Sequence, residues 1–359
     1  FVLRHVLNLT HVNRGKTYCC FVDFRKAYDS VRRDLLLQRL ASIGIGGAML
    51  RAVACMYSQV PMCARQDGVL SEYFDSHVGV KQGDPLSPLL FGVFIDAVEK
   101  YMRCEVPDAG VTVGQKRCQM LFYADDIVLL ADDAAHLHDM LNVLHGFCVS
   151  HGMSVNVPKT KVLVTGETKE SMYSELWHYA GEVVEQVSVF KYLGIEVSAS
   201  SGVRGSHDAV AAAAVQSMWA LVRKIRCLEG SNVGMRAQLF NSLVMPVMQY
   251  RCAIWGTPFI KDTGKPLDNP VQRIQSLFLR QVGGEWLRNC VPVKMLLAEF
   301  GCKPVSWQWC KLVCRYWNRL IQQSQYQLLR EAFITDLAYA CSAGTRRLKS
   351  DAWCCDVMA

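Results

Sequence analysis

Met120-Leu121-Phe122-Tyr123-Ala124-Asp125-Asp126-Ile127-Val128-Leu129-Leu130-Ala131 decides how this chain is read. Two apolar half-strands flank an acidic pair, the pattern of a β-hairpin with carboxylates at its tip. A second carboxylate is placed in the same way, because Tyr18 to Phe24 is a short apolar run of the buried-strand kind and Asp23 lies near its end. Carboxylates ending apolar strands are costly unless neutralised, and adjacent aspartates repel one another. A divalent cation answers both costs, since hard oxygen ligands on rigid strands suit Mg²⁺. Taken alone, the Asp125-Asp126 pair is equally well explained by a tight turn whose side chains bond to backbone N–H groups.

Working outward, Ser30 opens an amphipathic stretch with Leu35, Leu36, Leu40 and Ile43 on one face, which Gly44 and Gly46-Gly47 stop. Ala48 to Tyr57, Leu86 to Tyr101 and Asp133 to His151 read as helices, and Val155 to Thr165 and Val187 to Val197 as strands. Residues 17–200 are therefore expected to be an α+β unit. From Ser206 the pattern is helical almost throughout: Asp208 to Leu228, Met235 to Tyr250, Val271 to Val282, Val293 to Glu299 and Ser306 to Ser324. Ser198 to Gly205 is the boundary candidate, residues 201–341 the helical part, and Ser342 to Ala359 an expected unstructured end.

The 359 residues are 51% hydrophobic and 20% charged, ample for large cores and more than a disordered tail would carry. No run of about eighteen apolar residues and no signal peptide at Phe1 to Thr10 are seen, so a soluble intracellular protein is expected. The sixteen cysteines lie scattered in apolar segments and read as reduced, buried thiols. Cys302, Cys310 and Cys314 lack zinc spacing and read as a helix face. Charge is uneven: residues 1–200 hold 19 Lys and Arg against 22 Asp and Glu, while 201–359 hold 20 against 10. The second part has the charge of a phosphate-binding surface, and equally of a solvated basic face.

Five segments, in order, resemble motifs of the reverse transcriptases of non-LTR, LINE-type retrotransposons. They are Phe21-Val22-Asp23-Phe24-Arg25-Lys26-Ala27-Tyr28-Asp29-Ser30-Val31, Val80-Lys81-Gln82-Gly83-Asp84-Pro85-Leu86-Ser87-Pro88, and Phe122-Tyr123-Ala124-Asp125-Asp126. Gly152-Met153-Ser154-Val155-Asn156 with Lys159-Thr160-Lys161, and Phe190-Lys191-Tyr192-Leu193-Gly194, complete the set. Tyr250 to Gly256, Gln275 to Arg280 and Ala298-Glu299-Phe300-Gly301 are similar to the thumb of the same elements, so the resemblance covers nearly the whole chain.

The resemblance implies a right-hand polymerase: a palm of antiparallel sheet with packed helices, truncated fingers with residues 1–16 as their remnant, and a helical basic thumb. It implies RNA-directed DNA synthesis with two Mg²⁺ ions, for which Mn²⁺ can substitute, held by Asp23, Asp125, Asp126 and the Phe24 carbonyl. Tyr28, Gln82, Gly83 and Lys159 are implied at the nucleotide, with Lys161 the rival of Lys159. Tyr192, Leu193 and Gly194 are implied as the primer grip. Partners would be an RNA template, a DNA primer or target and deoxynucleoside triphosphates, with no membrane. Arg223, Lys224, Arg226, Arg236, Arg273 and Arg280 are candidates to hold the duplex, whereas Trp219, Trp255, Trp286, Trp307 and Trp309 read as core. Asp29 reads as a helix cap or a partner of Arg32 or Arg33. The chain is expected to be a fragment of a longer polyprotein, with any endonuclease module elsewhere. A catalytically silent nucleic-acid-binding remnant and a maturase-like splicing cofactor of group II introns are the alternative readings.

Overall fold

The structure, a computed structural model, describes residues 1–166, 175–227, 232–260, 270–283, 291–323, 327–343 and 353–358. Its contacts divide the chain into a sheet unit, Lys16–Thr112 with Arg117–Ser188, and a helical unit, Phe1–Gly15 with Val113–Lys116 and Val189–Ala359.

The sheet unit is built on six strands: β1 Thr17–Val22, β2 Met120–Tyr123, β3 Asp126–Ala131, β4 Lys161–Thr165, β5 Trp177–Tyr179 and β6 Glu182–Gln186. Their spatial order is β5-β6-β4-β1-β3-β2, antiparallel except for the parallel β4–β6 pair. All six residues of β1 are buried, as a strand central to the sheet and covered on both faces requires. The main core includes Tyr18, Cys20, Leu36, Phe91, Phe94, Leu129 and Leu144, joining the sheet to the helices Arg33–Ser42, Ser87–Ile95, Ala97–Glu105 and Ala134–His151. Asp133 caps the last of these by accepting from the Ala135 N–H, and Gly152 ends it at φ 70°. Four two-residue strands between Pro61 and Asp75 form two small antiparallel pairs outside the main sheet.

The helical unit contains a hairpin of β7 Val189–Tyr192 and β8 Ile195–Ser198 followed by helices. The longest among the described residues is Ser206–Arg226, which packs against Pro270–Val282 and the short Met245–Gln249 helix. No helix among the described residues is long and apolar enough to cross a membrane.

Several expectations are revised. Leu86–Tyr101 is two helices that meet at Asp96, and Met235–Tyr250 is likewise split, with Pro246 opening the second piece. Val187–Val197 is a hairpin, because Leu193 and Gly194 take positive φ of 50° and 75° and reverse the chain. In 155–165 only Lys161–Thr165 is a strand, and Val155 makes a single bridge with Phe24. Residues 1–16 do not stand apart as a remnant: the helix Val2–Asn13 packs on Gln327–Ala343 within the helical unit. There Arg4 pairs with Asp356 at 3.0 Å and His5 with Asp336 at 3.1 Å, both buried. The expected unstructured end contains the helix Trp353–Met358, whose Trp353 and Cys354 are buried. Cys19, Cys20, Cys118, Cys148, Cys252 and Cys354 are buried as expected, but Cys55, Cys104, Cys227, Cys310, Cys314 and Cys341 are exposed. Trp286 lies outside the described residues, and Trp307, read as core, is 53% exposed.

Candidate active site

Register brings the acidic residues together. Val22, the last residue of β1, pairs with Ile127 of β3, so Asp23 follows on β1 beside the position of Asp126. Asp126 in turn pairs with Tyr123, which leaves Ala124 and Asp125 as the two-residue tip of the β2–β3 hairpin. Ala124 has φ 54° at the first tip position, where glycine is usual. Such a conformation in a residue with a Cβ is strained, and strain of this kind concentrates at functional sites. Phe21, Val22, Ile127 and Val128 are buried while Asp125 and Asp126 are exposed and Asp23 half-buried, so the carboxylates sit where a hydrophobic sheet meets solvent.

The electrostatics agree with that convergence. Burial, then the charges of Asp125 and Asp23, hold the Asp126 carboxyl above its ordinary range. Burial and the Asp125 charge likewise raise the Tyr28 phenol. The half-buried Tyr28 ring stacks on buried Phe91, with centroids 4.8 Å apart.

Backbone bonds fix Asp23. Its N–H donates to Thr160 Oγ1 at 3.3 Å, and its carbonyl accepts from the Asn156 N–H at 2.7 Å. The Arg25 N–H donates to the Ser154 carbonyl at 2.8 Å, which makes Phe24 and Val155 a pair that exchanges no bonds of its own. The Phe24 carbonyl therefore points to the side of β1 that β3 occupies, the same side as the aspartates. As they stand, no three His, Cys, Asp or Glu side chains among the described residues are close enough to hold a metal ion. The donor set nevertheless fits one in kind: three carboxylates, of which Asp126 is raised by burial and by the charges of the other two, and an unspent carbonyl are hard oxygen ligands, and the exposed Asp125 and Asp126 can rotate at little cost.

The two rival lysines separate. Lys161 Nζ is bound by Glu185 Oε2 and the Pro158 carbonyl, both at 2.6 Å. Lys159 is exposed and, among the described residues, enters no ion pair. Gln82 Nε2 donates to Asp29 Oδ1 at 3.0 Å on the wall of a cavity of about 810 Å³ that Arg33, Val60, Val78 and Lys81 also line. Asp29 is thus bonded to Gln82, and Arg33 instead donates to the carbonyls of Ser76, Val78 and Gly79. Gly79, at φ 85°, lies where a Cβ would come within 2.9 Å of the Asp29 backbone. Gly83 has φ 87° and open space before it.

In the helical unit, Tyr192, Leu193 and Gly194 form the β7–β8 turn. Tyr250 holds it: its hydroxyl donates to the Leu193 carbonyl at 3.0 Å, and a Cβ on Gly194 would lie 2.8 Å from its ring. Trp255 Nε1 anchors the Tyr250 carbonyl at 2.8 Å, and the Arg251 guanidinium stands 5.4 Å over the Tyr250 ring. Of the basic candidates, Arg223, Lys224 and Arg226 are exposed at the end of their helix, whereas half-buried Arg280 donates to the Val291 carbonyl at 2.7 Å.

Sequence reading missed Phe91, Tyr250 and Thr160 as supports. Thr160 had a signal, because it lies inside the Lys159-Thr160-Lys161 segment. Tyr250 had none that ties it to a turn 57 residues earlier.

A sheet backed by helices, with aspartates at the ends of two neighbouring strands, is the palm of a right-hand polymerase. The chain belongs to the reverse transcriptase (RNA-dependent DNA polymerase) family, which its residues 3–197 match. It is 30% identical over 210 residues to the Pol polyprotein of the retrotransposable element R2DM of Drosophila melanogaster, covering 56% of this chain and 19% of that protein. It is 29% identical over 214 residues to an R2 Pol polyprotein of Popillia japonica, covering 56% and 34%. With the RNA-directed DNA polymerase of the mobile element jockey of Drosophila funebris it shares 21% over 280 residues, 74% of this chain and 28% of that one. The chain thus spans 19% to 34% of the length of these relatives. Among solved structures, apo telomerase of Candida tropicalis overlaps 55% of this chain and 37% of its own, at 15% identity and a TM-score of 0.39. An overlap so distant adds nothing to the family assignment.

Proposed function

We propose that this chain is the catalytic part of the reverse transcriptase of a non-LTR retrotransposon. It extends a DNA primer or target 3′ end with deoxynucleotides, copying an RNA template by two-metal phosphoryl transfer. The observation that carries the proposal is the convergence of Asp23, Asp125 and Asp126 where the buried strands β1 and β3 end at solvent. Burial and the charges of Asp125 and Asp23 raise the Asp126 carboxyl, and an acid perturbed by neighbouring carboxylates is a candidate for chemistry.

Two Mg²⁺ ions, or Mn²⁺ in their place, bound by Asp23, Asp125 and the Phe24 carbonyl with Asp126 assisting, would activate the 3′-hydroxyl and offset charge on the leaving pyrophosphate. The protein's own groups do the rest. Thr160 and Asn156 fix the backbone of Asp23, so its carboxylate is presented without reorganisation. Tyr28, stiffened by Phe91, presents a ring edge where a ribose 2′-hydroxyl would clash. Gln82, oriented by Asp29, lines the nucleotide pocket, and Gly83 lets backbone approach the template-paired base. Lys159 rather than Lys161 donates a proton to the departing pyrophosphate, because the Lys161 ammonium is spent on Glu185. Tyr192, Leu193 and Gly194 grip the primer, and the exposed cations of the helical unit, the thumb of this reading, hold the duplex. The protein works in nucleus and cytoplasm, with a nuclease elsewhere in the longer polyprotein.

The test is primer extension on an RNA template with Asp125→Asn and Tyr28→Ala. Asp125→Asn is expected to abolish extension while leaving duplex binding intact, and Tyr28→Ala to raise ribonucleotide use. Wild-type extension by Asp125→Asn would remove the metal assignment, and unchanged sugar selectivity would make Tyr28 a packing residue.

A further inference from the structure

Trp307, Lys311, Arg315 and Arg319 recur every four residues in the helix Val305–Gln322 and so form one ridge along it. With a rise of about 1.5 Å per residue, successive members stand roughly 6 Å apart. The other side of the helix is core, with Val305, Trp309, Val313 and Leu320 buried. All four ridge residues are exposed. The helix contains no Asp or Glu, and among the described residues neither Lys311, Arg315 nor Arg319 enters an ion pair. Like charges one helical turn apart weaken a helix, so the ridge is an arrangement that stability alone does not favour.

The ridge also borders a concavity. Arg315 and Arg319 line a shallow pocket of about 310 Å³ with Arg251, Gln249 and Tyr316, and no carboxylate among the described residues contributes to its wall. Burial pushes the Tyr316 phenol up to about 12, so it stays protonated and can donate. Guanidinium forks match the geometry of phosphate oxygens, and an aromatic face beside cations suits a base next to a backbone. At the start of the ridge, Lys303 Nζ sits 4.0 Å over the Trp307 ring and adds a further positive charge to that end.

We infer that this ridge is a nucleic-acid rail, in which Arg251, Arg315 and Arg319 seat one backbone phosphate, Lys311 meets the next, and Trp307 stacks on an unpaired base. The inference rests on the polymerase reading and adds to it a phosphate site beyond the family-matched residues 3–197. Arg251 follows Tyr250, so one backbone segment supports both the β7–β8 turn and the phosphate pocket.

The experiment titrates the whole chain with a primer–template duplex from low to physiological salt, for the parent, R315A/R319A, W307A and K100A. Losing two of the three arginines that seat this one phosphate should lower the steepness of log K against log salt by about 1. R315A/R319A should also raise KM for duplex several-fold while kcat at saturating duplex is retained. W307A should weaken binding of a single-stranded overhang and leave the salt slope unchanged. K100A, an exposed cation of the sheet unit, should change neither. Unchanged slope and KM in R315A/R319A overturn the rail, as does an equal loss in K100A, which would mean net charge alone. Phosphatidylserine vesicles and inorganic phosphate serve as competing probes: tighter, arginine-dependent binding of either one than of duplex overturns the nucleic-acid assignment. A parent that neither binds nor extends duplex removes the polymerase reading itself, whereas a parent that extends and a double variant that matches it remove only the rail.

Discussion

The sheet unit and the helical unit spend their charged residues in opposite ways. In the helical unit, Arg4 and Asp356 are almost wholly buried and bonded to each other, and Arg4 also donates to Thr257 Oγ1 at 2.9 Å and to the Ile254 carbonyl. His5 and Asp336 are buried beside them, and Asp336 accepts the Cys354 N–H at 2.7 Å. In the sheet unit, Asp23, Asp125 and Asp126 gather at strand ends and a hairpin tip and enter no ion pair among the described residues, and the charges of Asp125 and Asp23 add to what burial costs the Asp126 carboxylate. Buried groups bonded to one another hold a fold together, while like charges collected at strand ends wait for a ligand. Substitutions should therefore separate stability from activity along the boundary between the units.

The largest expected effect is on activity without stability. Asp23→Asn should lower extension by several orders of magnitude, since it removes a ligand charge but keeps the backbone bonds that position residue 23. Its denaturation midpoint should be no lower than the parent's, because a charge that repels Asp126 is removed, and a fall comparable to the loss of a core contact would break the contrast. Next comes stability without chemistry. Asp356→Ala strands the buried Arg4 guanidinium and should cost about 3–5 kcal/mol in denaturant titration. Arg4→Met with Asp356→Leu should recover most of that loss, and failure to recover would show that the Thr257 and Ile254 bonds matter more than charge.

A smaller effect is set by pH. Burial alone would raise the Asp336 carboxyl, but hydrogen bonds from His5 and the Cys354 N–H outweigh it and hold it below the ordinary carboxylate range. A depressed folded-state value stabilises above the unfolded pKa of about 3.9 and is lost as pH falls through the folded value. Stability of the helical unit should therefore fall below about pH 4, and Asp336→Asn should flatten that limb; an unchanged acid limb would assign the titration elsewhere. The smallest is Tyr250→Phe, which deletes one hydrogen bond and should cost about 1 kcal/mol. Amide exchange should speed up within Val189–Ser198 and nowhere else, and unchanged exchange there would mean that ring contact with Gly194 holds the turn unaided.

Much of the sheet unit was legible because its signals are local. Apolar runs ending in aspartate, a two-residue hairpin tip and a helix opened by Asp133 and closed by Gly152 each follow from neighbours in sequence. The acidic residues were found for the same reason. The misread segments share a different cause. Val187–Val197 looked like one strand because Leu193 gives no sign that it will take φ 50°, and Trp307 looked like core because a tryptophan in an apolar helix usually is.

What the sequence by itself determined is thus the chemistry on offer: three aspartates at strand ends, five family segments in register and an excess of positive charge after residue 200. Only the tertiary structure decided which groups are spent and which remain. It pairs Lys161 with Glu185 and leaves Lys159 exposed, sets Tyr250 against a turn 57 residues earlier, and joins residues 1–15 to helices more than three hundred positions away. Those outcomes depend on contacts between distant segments, whose register is settled by packing of whole elements rather than by the preferences of any one of them.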